Sequence, residues 1–195
     1  MNYILGLNAI GFNTSASLLK NGKLIGAIEE ERLTRNKRTR SFPNLSIKYL
    51  LKKNNLKFKD IDAVGISWNP TINLEKFDKA NSNNHSYIPN ILHTVPSNLM
   101  YFSKRKTFKY FKQELPVEKN KKIPIYYINH HYCHAANFFI SPFKNSSILT
   151  VDAFGEKQSV GFFRGKNNNI DSIWSQEFPH SLGAFYSTFT EICGF

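Results

Sequence analysis

Two stretches of this chain open in the same order, and that repetition constrains the fold more than any other feature. Ile4-Leu5-Gly6-Leu7-Asn8-Ala9-Ile10-Gly11 is a short apolar run entering a turn. A second run follows at Ser15 to Leu19, and Asn21-Gly22 is a two-residue hairpin signal before Lys23 to Glu30. Ile148-Leu149-Thr150-Val151-Asp152-Ala153-Phe154-Gly155 starts the series again. It continues through Ser159 to Arg164, turns at Gly165-Lys166 and resumes from Ile170 to Phe178. A repeated β-meander followed by helix and strand predicts a duplicated α/β fold with a ligand cleft between two lobes.

Between the repeats, Glu29-Glu30-Glu31-Arg32 opens a polar segment from Leu33 to Ser41, stopped by Phe42-Pro43-Asn44. Ser46 to Lys53 reads as an amphipathic helix with Ile47, Leu50 and Leu51 inward, and Ile61 to Trp68 as a strand. Asn69 to Asn98 is Asn-rich and patternless, hence loop. Ser97 to Glu114 reads as a basic amphipathic helix with Phe102, Phe108 and Phe111 on its inner face. Pro116 and Pro124 bracket a Lys-rich turn before a strand at Ile125 to Ile128, and His130 to Phe139 is helical, closed by Ser141-Pro142. The second series ends in a helix from Leu182 to Phe195, with Phe185, Phe189 and Ile192 on one side. On this reading residues 1–145 form a first α/β lobe with an irregular insertion at about 69–122, and 146–195 only begin the second lobe. A counterpart to the first lobe needs roughly another hundred residues, so a truncated pair of lobes with an unpaired sheet edge is expected.

Composition excludes several classes. Aromatic residues at 14%, 17 of them Phe, are too many for a disordered tail. No apolar run is long enough to span a membrane, and the N-terminus lacks the basic start and longer apolar stretch of a signal peptide. Two cysteines, Cys133 and Cys193, are no disulfide framework, which points to a reducing cytoplasm. The net charge of +12 suggests an anionic partner. A nucleic-acid groove or a membrane-surface helix along Lys104 to Lys122 would be one use of it, since aromatic residues interleave the lysines there. The same phenylalanines fit the inner face of a helix, however, and no RNA-binding aromatic motif or zinc-finger spacing is present. The charge is therefore read as solvated surface, with a nucleic-acid-binding module as the weaker alternative.

The densest chemistry is Asn129-His130-His131-Tyr132-Cys133-His134-Ala135-Ala136. On a helix His130 and His134 share a face at i and i+4, suiting two imidazoles on one metal ion, while His131 points roughly 100° away. Two His with oxygen ligands suit iron, zinc or manganese; half-buried, hydrogen-bonded helix-start histidines are the alternative. Cys133 is soft enough to ligate but faces elsewhere. Asp152 ends an apolar strand beside Gly155-Glu156, a turn able to present backbone N–H groups to a ligand or phosphate; an ordinary turn aspartate is the alternative. With the two histidines it would complete a mixed N/O site if strand end and helix start meet.

These residues carry a resemblance. The histidine segment, then Ser141-Pro142-Phe143 and Ile148 to Glu156, resemble the N-terminal part of the O-carbamoyltransferases, the family of nodulation-factor and antibiotic carbamoyltransferases. Ile4 to Leu7, Glu29-Glu30-Glu31-Arg32-Leu33-Thr34-Arg35-Asn36-Lys37 with Phe42-Pro43, and Ser181 to Phe195 fall in the same order, with little match from Asn69 to Lys122. The resemblance implies a duplicated actin-like ATPase (ribonuclease H-like) fold. It implies an enzyme that uses carbamoyl phosphate and ATP to make a carbamoyl-adenylate and passes the carbamoyl group to a small-molecule hydroxyl acceptor. His130 and His134 match its metal-binding histidines and Asp152 an aspartate ligand, with iron favoured as the divalent metal. Lys37 matches a lysine that binds the carbamoyl-adenylate, and so is the candidate catalytic and cofactor-binding residue.

Two departures stand out. Where the family places a His-Asp pair near the reacting carbamoyl group, this chain has Phe12 and Asn13. Phenylalanine transfers no proton, whereas Asn13 keeps hydrogen-bonding capacity toward a bound cofactor. The rest of the family's second lobe and its C-terminal domain are also expected to lie outside this sequence, supplied by a missing C-terminal portion or a separately encoded partner chain. The isolated chain is thus expected to be inactive, and a non-catalytic remnant holding metal or nucleotide is the alternative reading.

Overall fold

The computed structural model describes residues 1–11, 13–69 and 109–195. It is a mixed α/β fold whose contacts divide it in two. One unit takes in Met1–Trp68 and Tyr110–Ile128; among the described residues the other holds Asn69, Lys109 and the chain from Asn129 to Phe195.

In the first unit β1 (Tyr3–Asn8), β2 (Ser15–Lys20) and β3 (Lys23–Glu29) form an antiparallel meander. Its tight turn is Asn21-Gly22, at φ 49° and 79°, the left-handed pair that a two-residue hairpin demands. α1 (Glu30–Thr34), α2 (Asn44–Lys53), β4 (Ala63–Ile66), β5 (Tyr110–Glu118) and β6 (Lys121–Ile128) follow. The sheet order is β3-β2-β1-β4-β6-β5, with β4 parallel to both β1 and β6. Alternation puts Leu5 and Leu7 of β1 and Ala16 and Leu18 of β2 into one buried cluster with Leu50 and Leu51 of α2, Ile61, Val64 and Ile123. Each fully buried aliphatic side chain contributes about 1.5–3 kcal/mol.

Two expectations are corrected here. Residues 110–114 belong to a strand, not to the end of a basic helix, and 110–122 belong to the sheet rather than to an irregular insertion. The alternation from Tyr110 onward finds its partner in β6, from Tyr110↔Ile128 to Glu118↔Lys121, and a hairpin that closes this way outweighs weak helical periodicity. Pro116 is tolerated because β5 is the last strand of the sheet. The rest of the expected helix, and the loop expected to Asn98, lie outside the described residues from position 70 onward. Glu30 to Thr34, where the sequence showed only the start of a polar segment, is the short helix α1.

In the second unit α3 (His130–Ala135) tightens into a 3₁₀ turn at Ala136–Ile140. β7 (Asn145–Val151), β8 (Gln158–Lys166) and β9 (Asn169–Glu177) make a three-stranded antiparallel sheet, followed by α4 (Leu182–Ile192). The β8–β9 turn falls one step later than expected: β8 runs through Gly165-Lys166, and Asn167 at φ 53° starts the reversal, since Asn tolerates the left-handed region. Phe163 is fully buried edge-on to Tyr132 of α3 at 4.9 Å. Gly165 lies so close beneath Phe138 that a Cβ there would meet the ring at 2.8 Å. α3 thus packs with the second sheet, although the sequence placed it before a boundary at 145/146. Among the described residues no helix is long and apolar enough to cross a membrane.

Candidate metal centre

α3 starts at a polar residue that fixes its orientation. Asn129, 1% exposed, accepts the Tyr132 N–H on its side-chain oxygen at 3.2 Å. One turn apart on the resulting helix, the His130 and His134 rings lie 4.5 Å centroid to centroid. Asp152, just beyond the end of β7, meets both: its Oδ2 is 2.7 Å from His130 Nε2 and 3.2 Å from His134 Nε2. The two Nε2 atoms are 3.0 Å apart.

That triangle fits the first coordination sphere of a transition ion. Donors bonded to one ion at about 2.0–2.2 Å sit about 2.8–3.6 Å from one another in adjacent octahedral or tetrahedral positions, so the 3.0 and 3.2 Å edges match and the 2.7 Å His130–Asp152 edge needs to open only slightly. The ligand atoms of His130, His134 and Asp152 all fall within 4.8 Å of one another. Two imidazole nitrogens at 3.0 Å cannot both aim a hydrogen at the other, so at least one offers a lone pair. Burial pushes the Asp152 carboxyl up, but the hydrogen bonds from His130 and Ala153 N–H, the charge of His130 and the bond to His134 outweigh it and hold it below its ordinary value. A carboxylate that stays ionised is the form that ligates. Cys133 contributes nothing of this kind: burial, with the Glu156 charge, pushes its thiol up to about 12, so it stays protonated.

Asp152 is held from its backbone. Its N–H donates to Ser159 O at 2.9 Å and its Oδ1 accepts from Ala153 N–H at 2.7 Å. The Ser181 hydroxyl lies 2.6 Å from Ala153 O and 3.1 Å from Asp152 O, while its oxygen accepts Ala184 N–H and so caps α4. Two residues on, Gly183 packs straight onto that turn: a Cβ there would stand 2.5 Å from Asp152 C and 2.6 Å from Asp152 O. Gly155 gives room on the other side, where a Cβ would meet His131 Cδ2 at 3.0 Å and His130 Cβ at 3.2 Å. Its N–H is directed to Gln158 O within the turn.

Sequence reasoning overlooked two buried groups. His131, with 0% exposure, has Nε2 2.9 Å from Gln158 O and Nδ1 2.7 Å from Thr150 Oγ1. A carbonyl only accepts, so Nε2 carries the proton and Nδ1 receives the Thr150 hydroxyl. Burial lowers the affinity of this ring for a second proton, which keeps it neutral. Glu156, 8% exposed, accepts the His130 N–H at 3.1 Å and the Asn69 N–H at 2.6 Å, and burial raises its carboxyl above the ordinary value. Both act across at least 19 positions of sequence, and only the third histidine and the Gly-Glu turn hinted at them.

Lys37 and Asn13 belong to the first unit. Lys37 Nζ is 2.9 Å from Oε1 of the buried Glu31, whose Oε2 accepts the Arg38 N–H at 3.0 Å. The lysine side chain itself is 79% exposed, leaving ammonium hydrogens for an anion. Asn13 sits at φ 56°, and its carbonyl accepts from Asn8 Nδ2 at 3.2 Å. Thr14 joins this turn to the segment after Lys37 by donating its hydroxyl to Ser41 O at 2.6 Å. Phe12 lies outside the described residues.

Residues 3–195 match the family model described as Carbamoyltransferase N-terminus. The Synechocystis protein sll1178 is 32% identical over the whole of this chain, which covers 32% of that protein. The nodulation protein NolNO of Sinorhizobium fredii is 27% identical over 92% of this chain and 25% of its own length. The chain thus spans about a third or less of the curated relatives it matches. Among solved structures, YeaZ from Pseudomonas aeruginosa superimposes with a TM-score of 0.42 at 10% identity, over 90% of this chain and 65% of that one.

Proposed function

Because this chain belongs to the carbamoyltransferase N-terminus family, we propose that it supplies the metal-binding part of an O-carbamoyltransferase. That enzyme would transfer a carbamoyl group from carbamoyl phosphate, through a carbamoyl-adenylate made with ATP, to a hydroxyl acceptor. The observation that carries the reading is the convergence of His130, His134 and Asp152 ligand atoms within 4.8 Å. These three residues would hold a divalent ion, iron by family resemblance, with zinc or manganese also suiting two imidazoles and a carboxylate. Such an ion supplies polarisation of a carbonyl and screening of phosphate charge.

The chain's own residues would do the rest. Asp152, clamped by Ser181 and Gly183, and His130, whose N–H is fixed by Glu156, keep the donors at ligating distance before any ion arrives. Lys37, anchored through Glu31, presents a fixed cation to an adenylate phosphate. Asn13 donates or accepts a hydrogen bond without charge. The β1–β3 and β7–β9 meanders are then the openings of the two halves of a duplicated actin-like fold.

A second reading, metal binding without carbamoyl transfer, is favoured by Phe12, which cannot move a proton where the family has His. Metal analysis of the purified chain tests what the two share. About one ion per chain is expected, falling close to zero in His130→Ala and in His134→Ala; unchanged stoichiometry in both variants removes the ligand assignment. Carbamoyl transfer by the chain supplied with the remainder of a relative then separates the two readings.

A further inference from the structure

α4 breaks the usual rule for apolar helices. Its sequence, Leu182-Gly183-Ala184-Phe185-Tyr186-Ser187-Thr188-Phe189-Thr190-Glu191-Ile192, holds one charged residue, yet none of its residues is buried. Leu182, Phe185, Phe189 and Ile192 recur at helical spacing and range from 50% exposed at Phe189 to 71% at Ile192. The second sheet repeats the anomaly. Its register sets Leu149 opposite Phe162 and Phe162 opposite Trp174, an apolar row across three strands, with Leu149 65% and Trp174 53% exposed. Thr150 and Phe163, which alternate with this row, are the buried ones that meet α3 residues. The apolar face of a helix is normally buried, and exposed apolar clusters mark interfaces.

We propose that α4 and the Leu149–Phe162–Trp174 row are the docking surface for the polypeptide that makes up the part of the relatives this chain does not match. Three observations select that occupant. The family model is that of an N-terminus, and the relatives carry about twice as much further chain as is matched here. The exposed apolar side chains concentrate in the last elements, β7 to α4, while the first unit closes its own core with α2. Despite a chain charge of +12, α4 bears no Lys or Arg, which removes the cationic rim that an anionic membrane surface or nucleic acid would select. This inference rests on family membership alone and not on carbamoyl chemistry.

Co-expression tests it. The probe is the tagged segment of Synechocystis sll1178 lying outside its region of similarity to this chain, produced together with the full 195-residue chain. The expected result is a copurifying 1:1 complex in sedimentation, with lower anilinonaphthalene sulfonate fluorescence than the chain alone. Amide exchange in α4 is expected to slow by about tenfold or more. Phe185→Asp with Phe189→Asp is expected to weaken the complex at least about a hundredfold, as loss of two buried aromatic anchors implies. The far-ultraviolet circular dichroism and metal content of that variant should be unchanged. Failure to copurify, a homodimer that the probe does not displace, or a lone monomer that takes up no dye would each overturn the proposal. None of these outcomes bears on the ligand assignment of His130 and His134.

Discussion

Glu30 does for α2 what no residue at that helix's own start can do. Pro43 stands at the N-cap position without a capping side chain, and the Glu30 carboxylate, 2% exposed, accepts Leu45 N–H, Ser46 N–H and the Ser46 hydroxyl at 2.7–2.9 Å. Burial opposes the charge, but these three donors together hold the carboxyl below its ordinary 4.5. A depressed folded-state value means the stabilisation is complete above about pH 4.5 and is lost as pH falls through the folded value. Thermal unfolding followed against pH is expected to show acid-side loss in the native chain and a smaller one in Glu30→Gln, the remainder coming from the other depressed carboxyls, Glu31 and Asp152. At neutral pH the same variant is expected to be about 1–3 kcal/mol less stable. His131→Leu removes the partner that Thr150 Oγ1 and Gln158 O share, although Thr150 Oγ1 keeps Gly161 O and Gln158 O keeps Gly155 N–H, so a cost of about 0.5–1.5 kcal/mol per bond lost is expected in denaturant unfolding. In sequence the three histidines could be sorted by helical spacing alone, which paired His130 with His134 and set His131 aside. That His131 is a buried strut depends on Thr150 and Gln158, and no local pattern announces contacts at that separation.

At the scale of elements, local chemistry explains what sequence could and could not show. β1 to β3 were legible because Asn21-Gly22 names its own turn type, and α2 because Ile47, Leu50 and Leu51 keep helical spacing. β5 was not, because it owes its extended form to pairing with β6 and Lys112 continues in sequence the basic run that reads as a helix face. α4 was legible as a helix, but not its exposure, which is decided by what surrounds it. The approach of Gly183 to Asp152 was equally hidden, since glycine in a helix looks like a weak helix former until its neighbour is seen. Gly183→Ala is therefore expected to displace the Asp152 turn, lowering metal affinity about tenfold or more while leaving His130 and His134 in place. Calorimetric titration with the metal found in the native chain measures it; unchanged affinity would detach α4 from the site. Asn129→Ala, which removes the α3 cap, is expected to destabilise by about 0.5–2 kcal/mol in denaturant unfolding.

Over the whole molecule the charge of +12 is expected to be solvated surface. In the described portion of the basic stretch, Lys109 Nζ lies 2.8 Å from Ile170 O and 3.7 Å from Asp171, and Lys112 and Lys122 both stand within 4.0 Å of Glu114. Such exposed pairs add little stability, but they spread the positive charge among acids instead of gathering it in a groove. Single-stranded RNA is accordingly expected to bind no more tightly than about 10 µM near physiological salt, as read by fluorescence anisotropy. The two antiparallel meanders were visible in sequence because each is made of neighbouring segments. The three donors were nominated there too, but their spacing to within a coordination shell was not, because α3 and the end of β7 meet only through folding. The Ser181 hydroxyl and Gly183 carry one last consequence. They place the start of α4 against the Asp152 backbone, so the helix proposed to meet a partner also touches the turn of a proposed metal donor. If both proposals hold and a partner steadies that first turn of α4, ion affinity would rise, and thermodynamic reciprocity would require the ion to tighten the partner's grip by the same factor. Assembly and metal loading would then be two readings of one equilibrium.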